Sequence, residues 1–293
     1  MKIRDVEFLS EGDLLRGQLL EPEGRSARTP AVIMAPGFGA SVNHSPIRYA
    51  NAFVAGGLTV LVYDHPCFGK SEGLPRQDVD PVRQRRAFRD AITFAQRQPR
   101  LDPDRIGLWG SSYAGGHVLE VAALDRRVKC VVSQVPTISG FAQSRRRMNT
   151  DAIRAMRERF DADRSRRMDG NPPATMPIVS VDPAKPGYFN SQRAYDNYMV
   201  EGFCNEITVR SIELAWENEP AIHVGRISPT PLLMIVADED EATPTDLALQ
   251  AYAQALEPKQ LLLVKGGHFT PYWEHFEKTS GAAIDWFVMH LGS

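Results

Sequence analysis

The chain has 293 residues, 43% hydrophobic and 24% charged, with a formal net charge of −2 at pH 7. That length holds two ordinary domains or one large α/β domain, and the near-neutral balance offers nucleic acid no electrostatic footing. No apolar run reaches ten residues and the opening Met1-Lys2-Ile3-Arg4-Asp5 has no apolar core, so neither a membrane span nor a secretory leader is expected.

The first twenty residues read as a β-hairpin, with Val6–Leu9 and Leu14–Leu20 flanking the turn Ser10-Glu11-Gly12-Asp13. Short apolar runs then follow at Ala31–Ala35, Leu58–Tyr63, Arg105–Trp109, Val128–Val132, Leu232–Val236 and Gln260–Val264. Continuous runs of this kind mean strands buried on both faces, as in a parallel sheet. Helical patterns separate most of them, over residues 46–56, 81–97, 112–124, 244–256 and 273–291. The expected fold is α/β, a doubly wound and mostly parallel eight-stranded sheet with an antiparallel start.

The alternation breaks once, between residues 137 and 228. Helical stretches at Ile153–Phe160, Gln192–Met199 and Thr208–Trp216 surround a segment punctuated by Pro172, Pro173, Pro177, Pro183 and Pro186. The division expected is a core of residues 1–136 and 229–293 and a helical lid of residues 137–228, inserted after the sixth strand. An insertion there lies above the carboxyl ends of the strands, where it would cover a site and shape its pocket.

One stretch carries chemistry directly: Leu108-Trp109-Gly110-Ser111-Ser112-Tyr113-Ala114-Gly115-Gly116. An apolar strand stops at a serine set between small residues, and a helix follows at once, the pattern of a nucleophile elbow. Ser112, not Ser111, is the candidate nucleophile, because only Ser112 has small residues at the right offsets on both sides. A serine hydroxyl is a weak nucleophile without a base, and in such sheets the acid and base follow in the order Asp/Glu, then His. After Val236 come Asp238, Glu239, Asp240 and Glu241, with Thr243 as a good helix N-cap and Pro244 as a first helical residue. Asp240 fits the loop position best and Asp238 is second. After Val264, Gly266-Gly267-His268 delivers the only histidine with the right order and context. His117 is expected to pack or hydrogen-bond locally, while His44 and His65 lie on loops that could line the site. The backbone N–H groups of Tyr113 and of Phe38, in Pro36-Gly37-Phe38-Gly39, are the expected oxyanion donors.

With these residues in order, the chain resembles an α/β-hydrolase over nearly its whole length. Gly110-Ser111-Ser112-Tyr113-Ala114-Gly115 is similar to the G-x-S-Y-x-G elbow of the dienelactone-hydrolase-like and X-prolyl-peptidase-like branches. Asp64-His65-Pro66-Cys67-Phe68-Gly69-Lys70-Ser71-Glu72-Gly73 resembles the family's D-x-R-x-x-G-x-S-x-G loop, with Pro66 where an arginine that ties the loop down is usual. Pro36 likewise replaces a histidine. The stretches from Asp102 to Pro136 and Pro229–Met234, with Thr243-Pro244, are similar to bacterial relatives of fungal polyketide transferases.

The expectation is a cytoplasmic serine hydrolase acting on an ester or thioester, with amides admitted, through Ser112, Asp240 and His268 and an acyl-enzyme. The alternative is an acyltransferase with the same triad and an alcohol or amine acceptor; a binding protein on this scaffold would be expected to lack a triad member. No cofactor and no metal are implied: there is no P-loop, no G-x-G-x-x-G and no Cys/His cluster at metal spacing. Cys67, Cys130 and Cys204, far apart and odd in number, fit a reducing compartment. Partners reduce to a small-molecule acyl substrate, free or bound to a carrier or coenzyme A, and a second copy in a homodimer. The arginines of the insertion (Arg145, Arg146, Arg147, Arg154, Arg157, Arg159, Arg164, Arg166, Arg167) read either as anion-attracting or as a solvated helix face. Alternating charges favour the second.

Overall fold

A computed structural model describes residues 1–24 and 28–292. In chain order its main elements are β1 (Lys2–Ser10), β2 (Asp13–Glu21), β3 (Thr29–Met34), α1 (Ser45–Ala55), β4 (Thr59–Tyr63), α2 (Pro81–Gln96), β5 (Leu101–Ser111), α3 (Tyr113–Leu124) and β6 (Val128–Gln134). An insertion follows with α4 (Gly140–Arg147), α5 (Thr150–Met168), β7 (Thr175–Met176), α6 (Gln192–Tyr198), β8 (Ile207–Thr208) and α7 (Val209–Glu217). The chain closes with β9 (Leu232–Ala237), α8 (Thr245–Gln254), β10 (Lys259–Val264) and α9 (Phe276–Leu291).

Eight strands form one sheet in the order β1-β2-β4-β3-β5-β6-β9-β10. The β1–β2 hairpin is antiparallel in unbroken register from Lys2↔Glu21 to Ser10↔Asp13, and β2 joins β4 antiparallel. Across this sheet from β4 to β10 every pairing is parallel, while β7 and β8 form a separate antiparallel pair. The fold is therefore the doubly wound, mostly parallel α/β sheet that the apolar runs imply.

The period of two sorts each strand between two cores. Ile33, Leu61, Leu108, Val131 and Met234 face the side covered by α2, α3 and α8. Their neighbours Val32, Val60, Trp109, Val132 and Leu233 face the side covered by α1 and α9. Trp109 is fully buried and stacks on Tyr49 at 4.6 Å between centroids.

A third cluster joins the insertion to the core: Met156, Phe160, Ile178, Ile207 and Ile212 pack with Phe38 and Phe68, from loops at the carboxyl ends of the strands, and with Tyr113 at the start of α3. Two details differ from the sequence-based expectation. The helix in the middle of the insertion runs over nineteen residues, Thr150–Met168, well beyond Ile153–Phe160. Asn149 caps it, and close pairs on its own surface (Arg154–Asp151, Arg167–Asp163) support a segment with little apolar face. The last helix begins at Phe276 instead of residue 273, because Thr270–Tyr272 forms a separate 3-10 turn.

Candidate active site

β5 ends at Ser111, and the chain reverses through Ser112 into α3. Ser112 has φ 59° and ψ −120°, a conformation that L-residues adopt only under constraint. The small neighbours explain how it is tolerated. A Cβ on Gly110 would lie 2.2 Å from the Ala114 carbonyl oxygen, and one on Gly115 would lie 2.9 Å from that of Gln134. The Ser112 N–H donates to the Gln134 carbonyl at 2.9 Å, and the Ser112 carbonyl accepts from Thr137 N–H at 2.9 Å, which bolts the turn to the end of β6.

The loops after β9 and β10 converge on this turn. Ser112 Oγ lies 3.0 Å from His268 Nε2, and His268 Nδ1 lies 2.8 Å from Asp240 Oδ2. An ionised carboxylate only accepts hydrogen bonds, so Nδ1 carries the ring proton and Nε2 accepts from the Ser112 hydroxyl. His268 is 9% exposed and Asp240 5%, a setting that screens the pair little. Asp238 goes elsewhere: its Oδ1 accepts from Gly266 N–H at 2.7 Å and shapes the histidine loop.

Ser111 is spoken for. Its hydroxyl sits 2.6 Å from Tyr272 OH and accepts from Gln134 Nε2 at 3.2 Å, inside a buried network that continues to Tyr49 and Thr279. In front of Ser112, a methyl group on Gly37 would sit 3.5 Å from Ser112 Cβ and 3.9 Å from its Oγ, so glycine keeps open the space above the hydroxyl. Among the described residues no acceptor is recorded for the Phe38 N–H, and that of Tyr113 lies in the first turn of α3, where donors have no intrahelical partner. A cavity of about 340 Å³ opens onto Ser112 and His268, walled by Phe38 and Tyr113 from the core and by Tyr188, Phe189 and Tyr198 from the insertion.

The chain as a whole has known relatives. The sequence profile of the X-Pro dipeptidyl-peptidase (S15) family matches residues 11–270. The chain belongs to this family.

The S15-family chain is 32% identical over 270 residues to the thiohydrolase aneE of Aspergillus aculeatus, covering 88% of this chain and 83% of that protein. It is 31% identical over 300 residues to the polyketide transferase grgF of a Penicillium species, covering 98% of this chain and 96% of that protein. The crystal structure of the α/β hydrolase GrgF from Penicillium sp. sh18 superposes with a TM-score of 0.87 at 29% identity, covering all of both chains. The protein is thus an enzyme of the α/β-hydrolase superfamily, of serine hydrolase or acyltransferase type.

Within this S15-family enzyme several sequence-based expectations change. Thr243 is not the cap of α8; Pro244 holds that position and the helix starts at Thr245. The structure uses Thr243 on the acid instead. Its N–H donates to Asp240 Oδ1 at 2.8 Å, and its hydroxyl lies 2.8 Å from Asp240 Oδ2 and 3.2 Å from His268 Nδ1. The only sequence signal for this role is the Asp-x-x-Thr spacing, which also marks helix starts. His44 lines the cavity, whereas His65 is buried among the rings of Tyr63, Phe88 and His117 and does not. His117 bonds to Gln84 Oε1 at 2.9 Å, a partner on α2 and not a local one.

The missing arginine of the Asp64 loop is replaced in space. Arg76 donates to the carbonyls of Ser71 and Gly69, and Arg16 to that of Lys70 at 2.9 Å. Asp64 itself accepts from the N–H groups of Val42 and Lys70 at 2.8 and 3.0 Å. Among the insertion's aromatics, Tyr188, Phe189 and Tyr198 wall the cavity, Trp216 packs on Phe160 at 5.0 Å, and Phe141 is exposed.

Proposed function

We propose that this chain is a serine hydrolase that cleaves a small-molecule ester or thioester through an acyl-enzyme. Ser112 is the nucleophile, His268 the general base and then general acid, and Asp240 the group that orients the imidazole and stabilises its charged form. The observation that carries the reading is the unbroken relay from Ser112 Oγ through His268 to Asp240, with links of 3.0 and 2.8 Å. In the first step Oγ attacks the acyl carbon and its proton passes to His268 Nε2. The oxyanion is held by the backbone N–H groups of Phe38 and Tyr113. Collapse expels the alcohol or thiol, which takes the proton from His268. A water activated by the same nitrogen then frees the acid.

The segment 137–228 acts as the lid of this site, with residues 1–136 and 229–293 as the core domain. The shared packing of Tyr188 and Phe189 with Phe38 supports that division. A carrier- or coenzyme A-bound thioester is within this reading, as is a cytoplasmic location, which the three free cysteines fit. Among the described residues no helix is long and apolar enough to cross a membrane.

A second reading is favoured by the relative named a polyketide transferase: an acceptor alcohol or amine replaces water in the second step. The two readings share the acyl-enzyme, so one variant tests both. Ser112→Ala should lower turnover of activated esters by roughly 10⁴- to 10⁶-fold and abolish labelling by a fluorophosphonate, with the circular dichroism spectrum unchanged. Retained activity, or labelling that persists elsewhere, would remove Ser112 from the role. Product analysis with and without an added alcohol then separates hydrolysis from transfer.

A further inference from the structure

The charged groups lining the cavity are all of one sign. Among the described residues Arg48 and Arg147 line it, and no aspartate or glutamate does. Arg48 is exposed on α1, where its guanidinium covers the ring of Phe276 and donates to the Tyr272 carbonyl at 2.7 Å. Arg147 is different: it ends α4 half-buried, its guanidinium over the rings of Tyr188 and Phe189 at 4.8 and 5.2 Å. Its one recorded hydrogen bond runs from Nη2 to Tyr188 OH at 2.6 Å, and its Nε is buried without an acceptor. Several arginines of the same segment have carboxylates: Arg146 pairs with Asp246, Arg154 with Asp151, Arg164 with Glu213 and Arg167 with Asp163. Arg147 has none among the described residues.

A guanidinium has five donors in a planar fork, and leaving the buried Nε–H unmet beside aromatic rings is costly. A carboxylate meets that fork with two parallel bonds. The distance to the reaction centre is short in residues: Tyr188, which Arg147 holds, packs on Phe38 at 5.0 Å. We infer that the pocket accepts an acyl group bearing a second, ionised carboxylate, and that Arg147 binds it. This rests on the acyl-enzyme reading of the site. Hydrogen bonding and ring stacking to Tyr188 alone would brace the wall without giving any preference for charge.

The test compares 4-nitrophenyl hydrogen adipate with 4-nitrophenyl hexanoate, which share chain length and leaving group, so an anion in the leaving group cannot produce the result. The wild type should favour the adipate by roughly tenfold or more in kcat/KM, and the preference should shrink as salt is raised. Arg147→Met should bring the ratio to about one or below, and Arg147→Lys should restore part of it. A wild-type ratio of one or less overturns the assignment, whether or not the variants fold. A ratio that survives in folded Arg147→Met overturns it as well. Calorimetry with adipamic acid and hexanamide on Ser112→Ala reads the same preference without turnover. Absence of both esterase activities in the wild type, with a preference for adipamic acid in binding, would sink the hydrolase reading and keep this one; no preference in binding would sink this one alone.

Discussion

Ser112, Asp240 and Thr243 show how single positions set the geometry of the proposed site. The serine's positive φ raises its hydroxyl out of the sheet edge, and the neighbouring Ser111, one residue earlier on regular strand geometry, spends its own hydroxyl on Tyr272 and Gln134. Asp240 holds three donors: the Thr243 N–H, the Thr243 hydroxyl and His268 Nδ1–H. Asp240→Asn substitutes an amide that can donate where it must accept, so the imidazole is driven to the wrong tautomer. The expected loss is roughly 10⁴-fold in kcat. Asp238→Asn keeps an oxygen for the Gly266 N–H and should stay within several-fold of wild type. Steady-state kinetics of the two variants checks the assignment, and the opposite order would exchange the roles of the two aspartates.

At the scale of elements, one side chain adds a hydrogen bond to the ring packing between the insertion and the Gly37-Phe38-Gly39 loop. Tyr198, at the end of α6, donates its hydroxyl to the Phe38 carbonyl at 2.8 Å, and its own carbonyl lies 3.1 Å from His44 Nε2. Burial pushes the Tyr198 phenol above its ordinary range, so it remains a donor at any working pH. Tyr198→Phe removes that single bond, worth about 0.5–1.5 kcal/mol, and frees the peptide beside the Phe38 N–H. The expected outcome is a kcat lowered about threefold to tenfold, with KM nearly unchanged for a small ester. A change confined to KM would mean that Tyr198 touches substrate instead of the loop. Of the short insertion helices, α6 and α7 are legible in the sequence and α4 escapes a reading by periodicity. In α4, Gln143 turns to the Ala242 carbonyl and Arg147 to Tyr188, so no single stripe of hydrophobic side chains marks it.

The whole molecule carries a dependence on pH that its buried histidines impose. Burial pushes His65 down to about 3, against a smaller opposing pull from the Pro36 carbonyl, and burial pushes His117 well down, helped by His65 and Arg85. Both stay neutral in the fold, while the unfolded chain takes up protons near pH 6.5. Their contribution is therefore complete above about pH 6.5 and declines as pH falls toward 3 for His65. Each histidine should cost about 1.4 kcal/mol per pH unit in that window. Urea midpoints measured between pH 7 and 5 should fall accordingly, and a flat profile would mean that these rings are charged or exposed. The same scale separates what was legible from what was not. Apolar runs, their alternation with helices, the small residues around Ser112 and the order of Ser112, Asp240 and His268 are local or one-dimensional properties, and amino-acid order alone specifies them. What occupies the Ser111 hydroxyl, which aromatic rings wall the cavity, that Arg16 ties the Lys70 carbonyl of the Asp64 loop, and that Thr243 lies against His268 as well as Asp240 are contacts between distant segments. Such contacts exist only after the sheet closes, because packing decides which of several chemically equivalent partners lies within hydrogen-bond reach.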